Sequence, residues 1–247
     1  MKILATYNIK GGVGKTAAAV NLAHLAAREG RRTLLWDLDP QGAASYLLRV
    51  KPRVKGGGRA LVDGKRALDA TARSTGIDGL DVLPSDFTYR NLDLVLNEMK
   101  KPTRRFAKLL GGLDTEYDLI VVDCPPGISL VSENVAYAAD ALLIPLIPAT
   151  LSVRTLDQLT TFLADLDRRP QLIAFFSMVD RRKRLHHDVI EQLAAERDDI
   201  ASTSIPALSL IEQMGTRRAP VTQYAATSPA ARAYEGLWSE VEERTGL

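Results

Sequence analysis

The first thirty residues contain the feature that most restricts the fold: an apolar stretch passes through a glycine-rich loop into a helical pattern. "KILATY" has the composition of a buried strand. "AAAVNLAHLAARE", which follows Thr16, has its apolar residues at helical spacing and stops at Gly30. Glycine often lies just past a helix end, because it adopts a left-handed backbone conformation freely. The chain is therefore predicted to begin with a strand, a loop and a helix.

The alternation of strand and helix continues along the chain. Further strands are predicted in "RTLLWDLD", "GLDVLPS", "YDLIVVD", "ALLIPLI" and "QLIAFFSMV". Helical patterns lie near residues 92–100, 103–110, 131–139, 153–166, 187–196 and 230–243. Strands that alternate with helices of this length indicate a three-layer α/β fold, in which helices cover both faces of a mostly parallel central sheet. We expect residues 1–247 to form a single domain.

Composition excludes several classes of protein. The net charge of +2 is too small to indicate a nucleic-acid partner, which has to be argued from local clusters. Cys124 is the only cysteine, so an internal disulfide and a site built from several thiolates of one chain are both excluded. No apolar run approaches the ~20 residues that span a bilayer, and no signal-peptide core follows Met1. We therefore expect a cytoplasmic protein.

One segment departs from the alternation. "RVKPRVKGGGRALVDGKR", residues 49–66, contains three consecutive glycines and many basic residues. Because strands and helices resume on both sides of it, we expect a mobile surface segment rather than a linker between domains.

The glycine-rich loop, "YNIKGGVGKT" at residues 7–16, is predicted to bind phosphate. The usual template is G-x-x-x-x-G-K-[ST]; here Ile9 replaces its first glycine and an extra lysine, Lys10, follows. Backbone N–H groups and the helix dipole favour an anion at the start of the first helix. We expect Lys15 to meet the β- and γ-phosphates and the Thr16 hydroxyl to bind Mg²⁺. The loop glycines that let the backbone approach phosphate closely are Gly11, Gly12 and Gly14.

Three aspartates follow predicted strands. Asp123 ends "DLIVV", and Asp37 and Asp39 leave the second strand in "WDLDPQG". The carboxyl edge of an open parallel sheet is where ligands bind, so Asp123 suits a Mg²⁺ partner, and Asp37 and Asp39 are expected at the same edge. A single aspartate there is more commonly a helix cap or a loop residue. Three of them beside a phosphate loop favour the functional interpretation.

Four motifs carry a resemblance to a known family. "KGGVGKT", "DLDPQGAAS", "YDLIVVDCPPG" and "FSMVDRRKRL", in this order and spacing, resemble the ParA/MinD family of deviant Walker A P-loop ATPases, and specifically its ParA branch. The resemblance extends to about residue 241, through the closing segment "RAPVTQYAATSPAARAYEGLWSEV". It implies a P-loop NTPase fold, ATP and Mg²⁺ as cofactors, and hydrolysis of ATP that is slow without a partner.

The resemblance also implies a cellular role. An ATP-bound ParA dimer binds DNA without sequence preference, and a ParB-like or other cargo-linked protein stimulates hydrolysis and releases it. The cargo is a plasmid, a chromosome or a protein assembly, and the ATP-bound protein is associated with the nucleoid. Alternatives are a membrane-cycling regulator like MinD, for which the acidic end "YEGLWSEVEERTGL" is poorly suited, and a metabolic ATP-dependent enzyme on the same scaffold.

The resemblance assigns roles to individual residues. The extra lysine of the family, here Lys10, crosses the dimer interface to reach the nucleotide of the other subunit; the alternative is a solvated loop lysine. Asp39 matches the aspartate that orients the attacking water, and Gly127 would lie beside the γ-phosphate. Asp123 matches the Walker B residue that supports Mg²⁺ through water. For the neighbouring Cys124, a small buried residue is the better interpretation than a reactive thiol.

The predicted site residues fall into four sets, of which the DNA set comes from the two basic clusters that match the family's DNA contacts. Residues 49–66 and "KKPTRR", residues 100–105, are further basic clusters, and any such cluster is often only a solvated face. The sets are, for catalysis, Lys10, Lys15 and Asp39; for nucleotide, Gly11, Gly12, Val13, Gly14, Lys15, Thr16, Ala17, Met178 and Pro206; for metal, Thr16, Asp39 and Asp123; and for DNA, Arg181, Arg182, Arg184, Arg217 and Arg218.

Overall fold

A computed structural model of the protein describes residues 1–64, 68 and 70–247. The strands of this part of the chain are β1 (Lys2–Thr6), β2 (Thr33–Asp37), β3 (Arg73–Ile77), β4 (Leu80–Leu83), β5 (Leu119–Asp123), β6 (Ala141–Leu146) and β7 (Gln171–Phe176). They form one sheet in the order β3-β4-β2-β5-β1-β6-β7. All neighbours are parallel except β3 and β4, which pair antiparallel. The predicted, mostly parallel sheet is confirmed.

Helices connect the parallel strands. The longer ones are α1 (Lys15–Arg28), α6 (Leu130–Ala138), α7 (Thr150–Ala164), α8 (Arg184–Glu196) and α12 (Pro229–Thr245). The shorter ones are α2 (Ala43–Leu47), α3 (Gly57–Val62), α4 (Leu92–Asn97), α5 (Arg105–Leu110), α9 (Ser209–Glu212), α10 (Met214–Arg217) and α11 (Val221–Tyr224), with 3₁₀ turns at Phe87–Asn91 and Gly111–Leu113. Among the described residues, none of the helices has both the length and the apolar content that a membrane span requires.

Two buried apolar clusters lie on opposite faces of the sheet. Alternate residues of a strand point to opposite faces, so Ile3 and Ala5 of β1 belong to one cluster and Leu4 to the other. The Leu4 cluster contains residues of α1, α2 and α12, and the Ile3 cluster contains residues of α3 to α8. Both faces are therefore covered, as the near-continuous apolar strands predict.

The first helix owes its position to small side chains. Alanines fill its buried surface, including Ala18, Ala19, Ala23 and Ala26, which are fully buried. Small residues let the helix backbone lie close to the sheet, and alanine favours the helical conformation. Gly14 precedes the helix with φ 98°, a left-handed conformation that favours glycine. The loop thus turns sharply from β1 into a rigid, buried helix.

The expectation of a surface segment at residues 49–66 holds for exposed residues such as Lys51, Arg53 and Lys55, but not for the whole segment. The segment contains the helix α3, and Val54, Leu61 and Val62 are buried in the Ile3 cluster. These apolar residues are few among glycines and cations, which is why composition alone indicated a surface segment. Residues 65 and 66 lie outside the described part of the chain. The edge strand β3 was not predicted either, because its sequence RSTGI is largely exposed and lacks an apolar pattern.

Candidate nucleotide site

The loop between β1 and α1 is held in place by its own asparagine. Asn8 is buried; its side-chain amide donates to the carbonyl of Pro145 in β6 at 2.8 Å, and its side-chain oxygen accepts from the Lys10 N–H at 2.9 Å. Gly12 and Gly14 both have positive φ, 72° and 98°. A backbone with these left-handed turns directs its N–H groups into the loop, which is the arrangement that binds phosphate.

The two lysines of the loop point to different places. The Lys15 Nζ lies on the inside of the loop and donates to the Lys10 carbonyl at 2.9 Å, and the residue is buried. Burial lowers the pKa of Lys15, while Asp123, Cys124 and Asp39 act in the opposite direction. The Lys10 Nζ lies on the outside of the loop. It donates at 2.9 Å to the carbonyl of Leu151 in the first turn of α7, in an exposed contact.

Two buried carboxylates lie side by side at the carboxyl edge of the sheet. Asp37 of β2 and Asp123 of β5 are register partners, and both are fully buried. Asp37 Oδ2 accepts from the N–H and the hydroxyl of Ser45, at 2.7 and 2.6 Å. Asp123 Oδ1 accepts from the Thr6 hydroxyl at 3.3 Å. Burial raises the pKa of Asp37 to about 6 and the pKa of Asp123 to about 8. The charge of Asp39 also raises both pKa values, and the charge of Asp37 raises that of Asp123.

These carboxylates fit a bound cation. Within the described residues, Asp37 Oδ1 and Asp123 Oδ2 are buried and accept no hydrogen bond from the protein. A buried carboxylate without a partner is costly, and a cation or its water ligands would supply the missing interaction. The positive side chain of Lys15 and the side chain of Thr16 both lower the pKa of Asp123, so all three groups face the same space. Oxygen ligands of this kind suit Mg²⁺.

Asp39 lies on a loop that is tied to its surroundings through the backbone. Its carbonyl accepts from the Ser85 hydroxyl at 2.5 Å and from the Gly42 N–H at 2.9 Å. Its carboxylate accepts from the Gln41 N–H at 2.9 Å and is partly exposed. The backbone of Asp39 is therefore fixed, while its carboxylate faces solvent near Lys15, whose pKa it raises.

Two residues predicted for nucleotide outside the phosphate loop line one cavity with that loop. Met178 and Pro206 border a largely apolar cavity of about 130 Å³ together with Gly14 and Ala17. A strand-like bridge between Val179 and Pro206 holds the two segments side by side. Met178 has φ 57° and is 41% exposed, so it is not an ordinary core methionine. The structure thus brings together four of the residues that the sequence predicted for nucleotide.

Arg182 and Arg184, in the basic cluster at the start of α8, each face a carboxylate of the chain. Arg182 makes a bidentate ion pair with Asp180, with both donor–acceptor distances at 3.0 Å. Arg184 lies 3.9 Å from Asp188, one turn further along α8. Both arginines are exposed. An exposed pair contributes little to stability, but it does reduce the net positive charge offered to an anion.

The second predicted basic pair lies at the end of α10. Arg217 is exposed, and Arg218 stacks on the ring of Tyr46 with its Cζ 4.6 Å from the ring centroid. Arg218 and Arg181 line different cavities, so the structure does not bring the two predicted DNA clusters into one pocket.

Several residues of this site were missed by sequence reasoning. Asn8 and Ser45 hold the loop and Asp37, and Thr6 contacts Asp123. Ser177 lies so close to Gly14 that a methyl group there would come within 2.7 Å of its hydroxyl. Asn8, Thr6 and Ser177 are common polar residues whose partners lie far away in the chain, so no local pattern distinguishes them. Ser45 is closer to its partner Asp37, but it too lacks a distinctive local pattern.

Comparison with known proteins places this geometry in a family. The family model AAA_31, described as an AAA domain, matches residues 1–174. The chain is 30% identical to the chromosome-partitioning ATPase Soj of Treponema pallidum over 254 aligned residues, covering 99% of this chain and 98% of that protein. The chain belongs to the ParA/Soj family of partitioning ATPases. The predicted family membership is therefore confirmed.

Solved structures confirm the ParA/Soj type of fold. A putative plasmid partition protein from Borrelia burgdorferi B31, bound to AMPPNP, matches with a TM-score of 0.87 at 21% identity, over 98% of this chain and 99% of that chain. Cobyrinic acid a,c-diamide synthase from Mycobacterium smegmatis, with a bound ATP analogue and magnesium, matches with a TM-score of 0.86 at 24% identity, over 100% and 97%. At these identities the likeness shows the fold alone.

Proposed function

We propose that this protein is an ATP-hydrolysing switch of the ParA type, built on one P-loop ATPase domain of residues 1–247. The observation that carries the proposal is the pair of lysines in one loop. Lys15 lies inside the loop against its own backbone, whereas Lys10 reaches outward to the surface of α7. A single nucleotide needs only the inner lysine, so the outer one suits a second subunit.

The residues of the loop would hold ATP in defined ways. Bound ATP supplies the phosphoanhydride bond that is cleaved, and bound Mg²⁺ neutralises its charge. The loop N–H groups from Gly11 to Ala17 and the Lys15 ammonium would hold the phosphates. The Thr16 hydroxyl would face the metal, with Asp123 supporting it through water. Met178 and Pro206 would contact the base in the apolar cavity that they border with Gly14.

Asp39 would act on the attacking water. Its backbone is fixed by Ser85 and Gly42, while its carboxylate is partly exposed and free to accept a proton or a hydrogen bond from water. Orienting one water against the phosphate accounts for catalysis without any covalent step by the protein. We expect turnover to be slow until a ParB-like or other cargo-linked partner arrives.

The proposed dimer forms when ATP is bound. ATP carries several negative charges, and Lys10 of each subunit would reach the nucleotide of the other across a two-fold axis. Nucleotide state would thereby control assembly. The ATP-bound dimer would bind DNA through Arg181, Arg182, Arg184, Arg217 and Arg218, and would position a cargo from the nucleoid in the cytoplasm.

The structure disfavours the membrane-cycling alternative. The apolar side of α12 is buried on the sheet, with Leu237, Trp238 and Val241 no more than 1% exposed. Exposing it to a bilayer would sacrifice about 1.5–3 kcal/mol for each large side chain. The acidic side chains of its last turns are also engaged: Glu240 accepts from Ser202 and Thr203, and Glu242 pairs with Arg31. The remaining alternative is a metabolic ATP-dependent enzyme on this scaffold, and the ATP-hydrolysis assay described next tests it.

The proposal is tested by phosphate release with Mg²⁺. Wild-type protein should hydrolyse ATP slowly, and Asp39→Ala should lose most of that turnover while still binding ATP. The matched control is Asp78→Ala, which removes an exposed carboxylate in the turn between β3 and β4. If Asp39→Ala hydrolyses ATP at the wild-type rate, the assignment of Asp39 is wrong. Co-sedimentation of the ATP-bound protein with anionic vesicles instead of DNA would favour the membrane-cycling alternative.

A further inference from the structure

The segment that joins β5 to α6, residues 124–129, lies against the start of the phosphate loop. We call it the β5–α6 segment. Its Gly127 donates a backbone N–H to the carbonyl of Ile9 at 3.0 Å. The Gly127 carbonyl accepts from the Tyr7 hydroxyl at 2.7 Å. Both polar groups of the Gly127 backbone are therefore held by loop residues that come just before Lys10.

Tyr7 is a rigid support for this contact. It is 2% exposed, its ring packs in the Ile3 cluster, and its backbone N–H donates to the carbonyl of Leu143 in β6 at 3.0 Å. Burial raises the pKa of Tyr7 to about 12, so the hydroxyl keeps its proton and acts as a donor. Gly127 has φ 106°, and glycine restricts its own backbone little. The direction of its carbonyl therefore depends on an outside contact, which Tyr7 supplies.

One backbone N–H of the β5–α6 segment has no partner within the described residues. It belongs to Ile128, whose side chain is 51% exposed. Pro125 and Pro126 carry no N–H. The other N–H groups of the segment, all of which donate to a protein oxygen, are those of Cys124, Gly127 and Ser129. The Ile128 N–H is thus the backbone donor that this segment can offer to a ligand.

The Tyr7 hydroxyl controls the direction of that donor. The Gly127 carbonyl and the Ile128 N–H belong to one peptide unit, which is planar and trans, so the N–H points opposite to the carbonyl. Because Tyr7 holds the carbonyl, it also fixes the direction of the N–H. A donor that is oriented in advance stabilises negative charge without the cost of reorganisation. The contact therefore prepares the Ile128 N–H for an anion.

The anion that fits this place is the terminal phosphate of ATP. The β5–α6 segment starts directly after Asp123, whose carboxylate faces the same space as Lys15. We propose that Tyr7 is a positioning residue whose hydroxyl holds the peptide between Gly127 and Ile128 so that the Ile128 N–H donates to the γ-phosphate. This inference rests on the proposed function for its ligand. ADP lacks the γ-phosphate, so the hydroxyl should matter for the triphosphate and not for the diphosphate.

The test is Tyr7→Phe, which removes the hydroxyl and keeps the buried ring. Calorimetric titration with Mg²⁺ should show AMPPNP affinity about three- to tenfold below wild type, with ADP affinity unchanged. The rate of phosphate release from ATP should fall by at least the same factor. The matched control is Tyr117→Phe: Tyr117 is also buried, and its hydroxyl donates to Asp81 Oδ2 at 3.0 Å. It precedes β5 at the end opposite Asp123, so this variant should match wild type with both nucleotides.

The outcomes separate this inference from the proposed function. The titrations are made at a temperature where thermal denaturation shows wild type and both variants to be folded. Equal losses of AMPPNP and ADP affinity in Tyr7→Phe would mean that the hydroxyl only stabilises the loop, and no loss for either would mean that it does not orient a phosphate donor; both results overturn the inference. The proposed function is judged on wild type: if it binds AMPPNP but releases no phosphate from ATP, hydrolysis is wrong, while the ratio of the two affinities still decides the role of Tyr7.

Discussion

Arg49 and Arg218 cap each other's helices. Arg49 Nε donates to the carbonyl of Arg218 at 3.1 Å, and its Nη2 donates to the carbonyl of Arg217 at 3.0 Å. Arg218 Nε in turn donates to the carbonyl of Tyr46 at 3.0 Å. Both arginines have left-handed backbones, with φ 61° and 50°. The pair joins the end of α2 to the end of α10, and α2 begins just after Asp39.

Replacing Arg49 with lysine should break this connection. Lysine keeps the charge but cannot donate two bonds in the planar geometry of a guanidinium, so the last carbonyls of α10 lose their partner. Because the contact is exposed, we expect the free energy of unfolding to fall by about 1 kcal/mol. Thermal denaturation with Arg53→Lys as the control measures this. Equal stability of the two variants would mean that the contact between α2 and α10 contributes nothing.

Gly14 should tolerate a methyl group less well than Gly11. Gly14 has φ 98°, and a Cβ there would lie 2.7 Å from the Ser177 hydroxyl. Gly11 has open space around it and no positive φ. We expect Gly14→Ala to lower the free energy of unfolding by about 1–2 kcal/mol, even without nucleotide, and Gly11→Ala to have little effect. Denaturant unfolding of both variants measures these changes, and equal losses in the free energy of unfolding would contradict the prediction.

Sequence reasoning predicted the sheet better than it predicted the contacts within the site. Strands such as β5 are buried on both faces, so their apolar runs are visible in the sequence. The pairing of Asp37 with Asp123 depends on two strands 86 residues apart, and only the parallel topology makes them neighbours. Met178 and Pro206 were predicted through the family resemblance alone, because their shared cavity has no local pattern. The Arg49 contact with Arg218 depends on side-chain geometry that a sequence does not show.

His24 should make stability depend on pH. It is buried on α1, and burial lowers its pKa to about 4, with a further contribution from Arg28. The Thr222 hydroxyl donates to Asn21 Oδ1 at 3.0 Å, so its oxygen accepts from His24 Nδ1 at 2.8 Å. The neutral ring is therefore the form that the folded protein holds.

The sign of the effect follows from the lowered pKa. Between about pH 6.5 and 4, the unfolded chain protonates His24 and the folded chain does not, so stability falls as pH decreases through this range. We expect His24 to account for about 1–2 kcal/mol of the loss. Urea unfolding at several pH values should show a weaker dependence in His24→Gln than in wild type, whereas the exposed His187→Gln should match wild type. A stronger pH dependence of stability in His24→Gln than in wild type would contradict the role assigned to His24.

Lys10 and Lys15 should separate assembly from nucleotide binding, because one lies outside the loop and the other inside it. Removing the inner ammonium leaves bound phosphates without their main charged partner, so Lys15→Ala should lose nucleotide affinity by about 100-fold or more. Lys10→Ala should bind nucleotide nearly as well as wild type, since its Nζ contacts the Leu151 carbonyl and not the interior of the loop. Titration with a fluorescent nucleotide measures both.

The same variants decide whether Lys10 acts across a dimer interface. In an Asp39→Ala background, which preserves ATP, light scattering after size exclusion should show dimer with ATP and monomer without it. Adding Lys10→Ala should weaken that dimer by about tenfold or more, because a desolvated lysine–phosphate contact is lost from each subunit. Arg154→Ala, an exposed cation on α7, is the matched control. A Lys10→Ala protein that dimerises and hydrolyses ATP normally would leave its contact with Leu151 as the only role of that lysine.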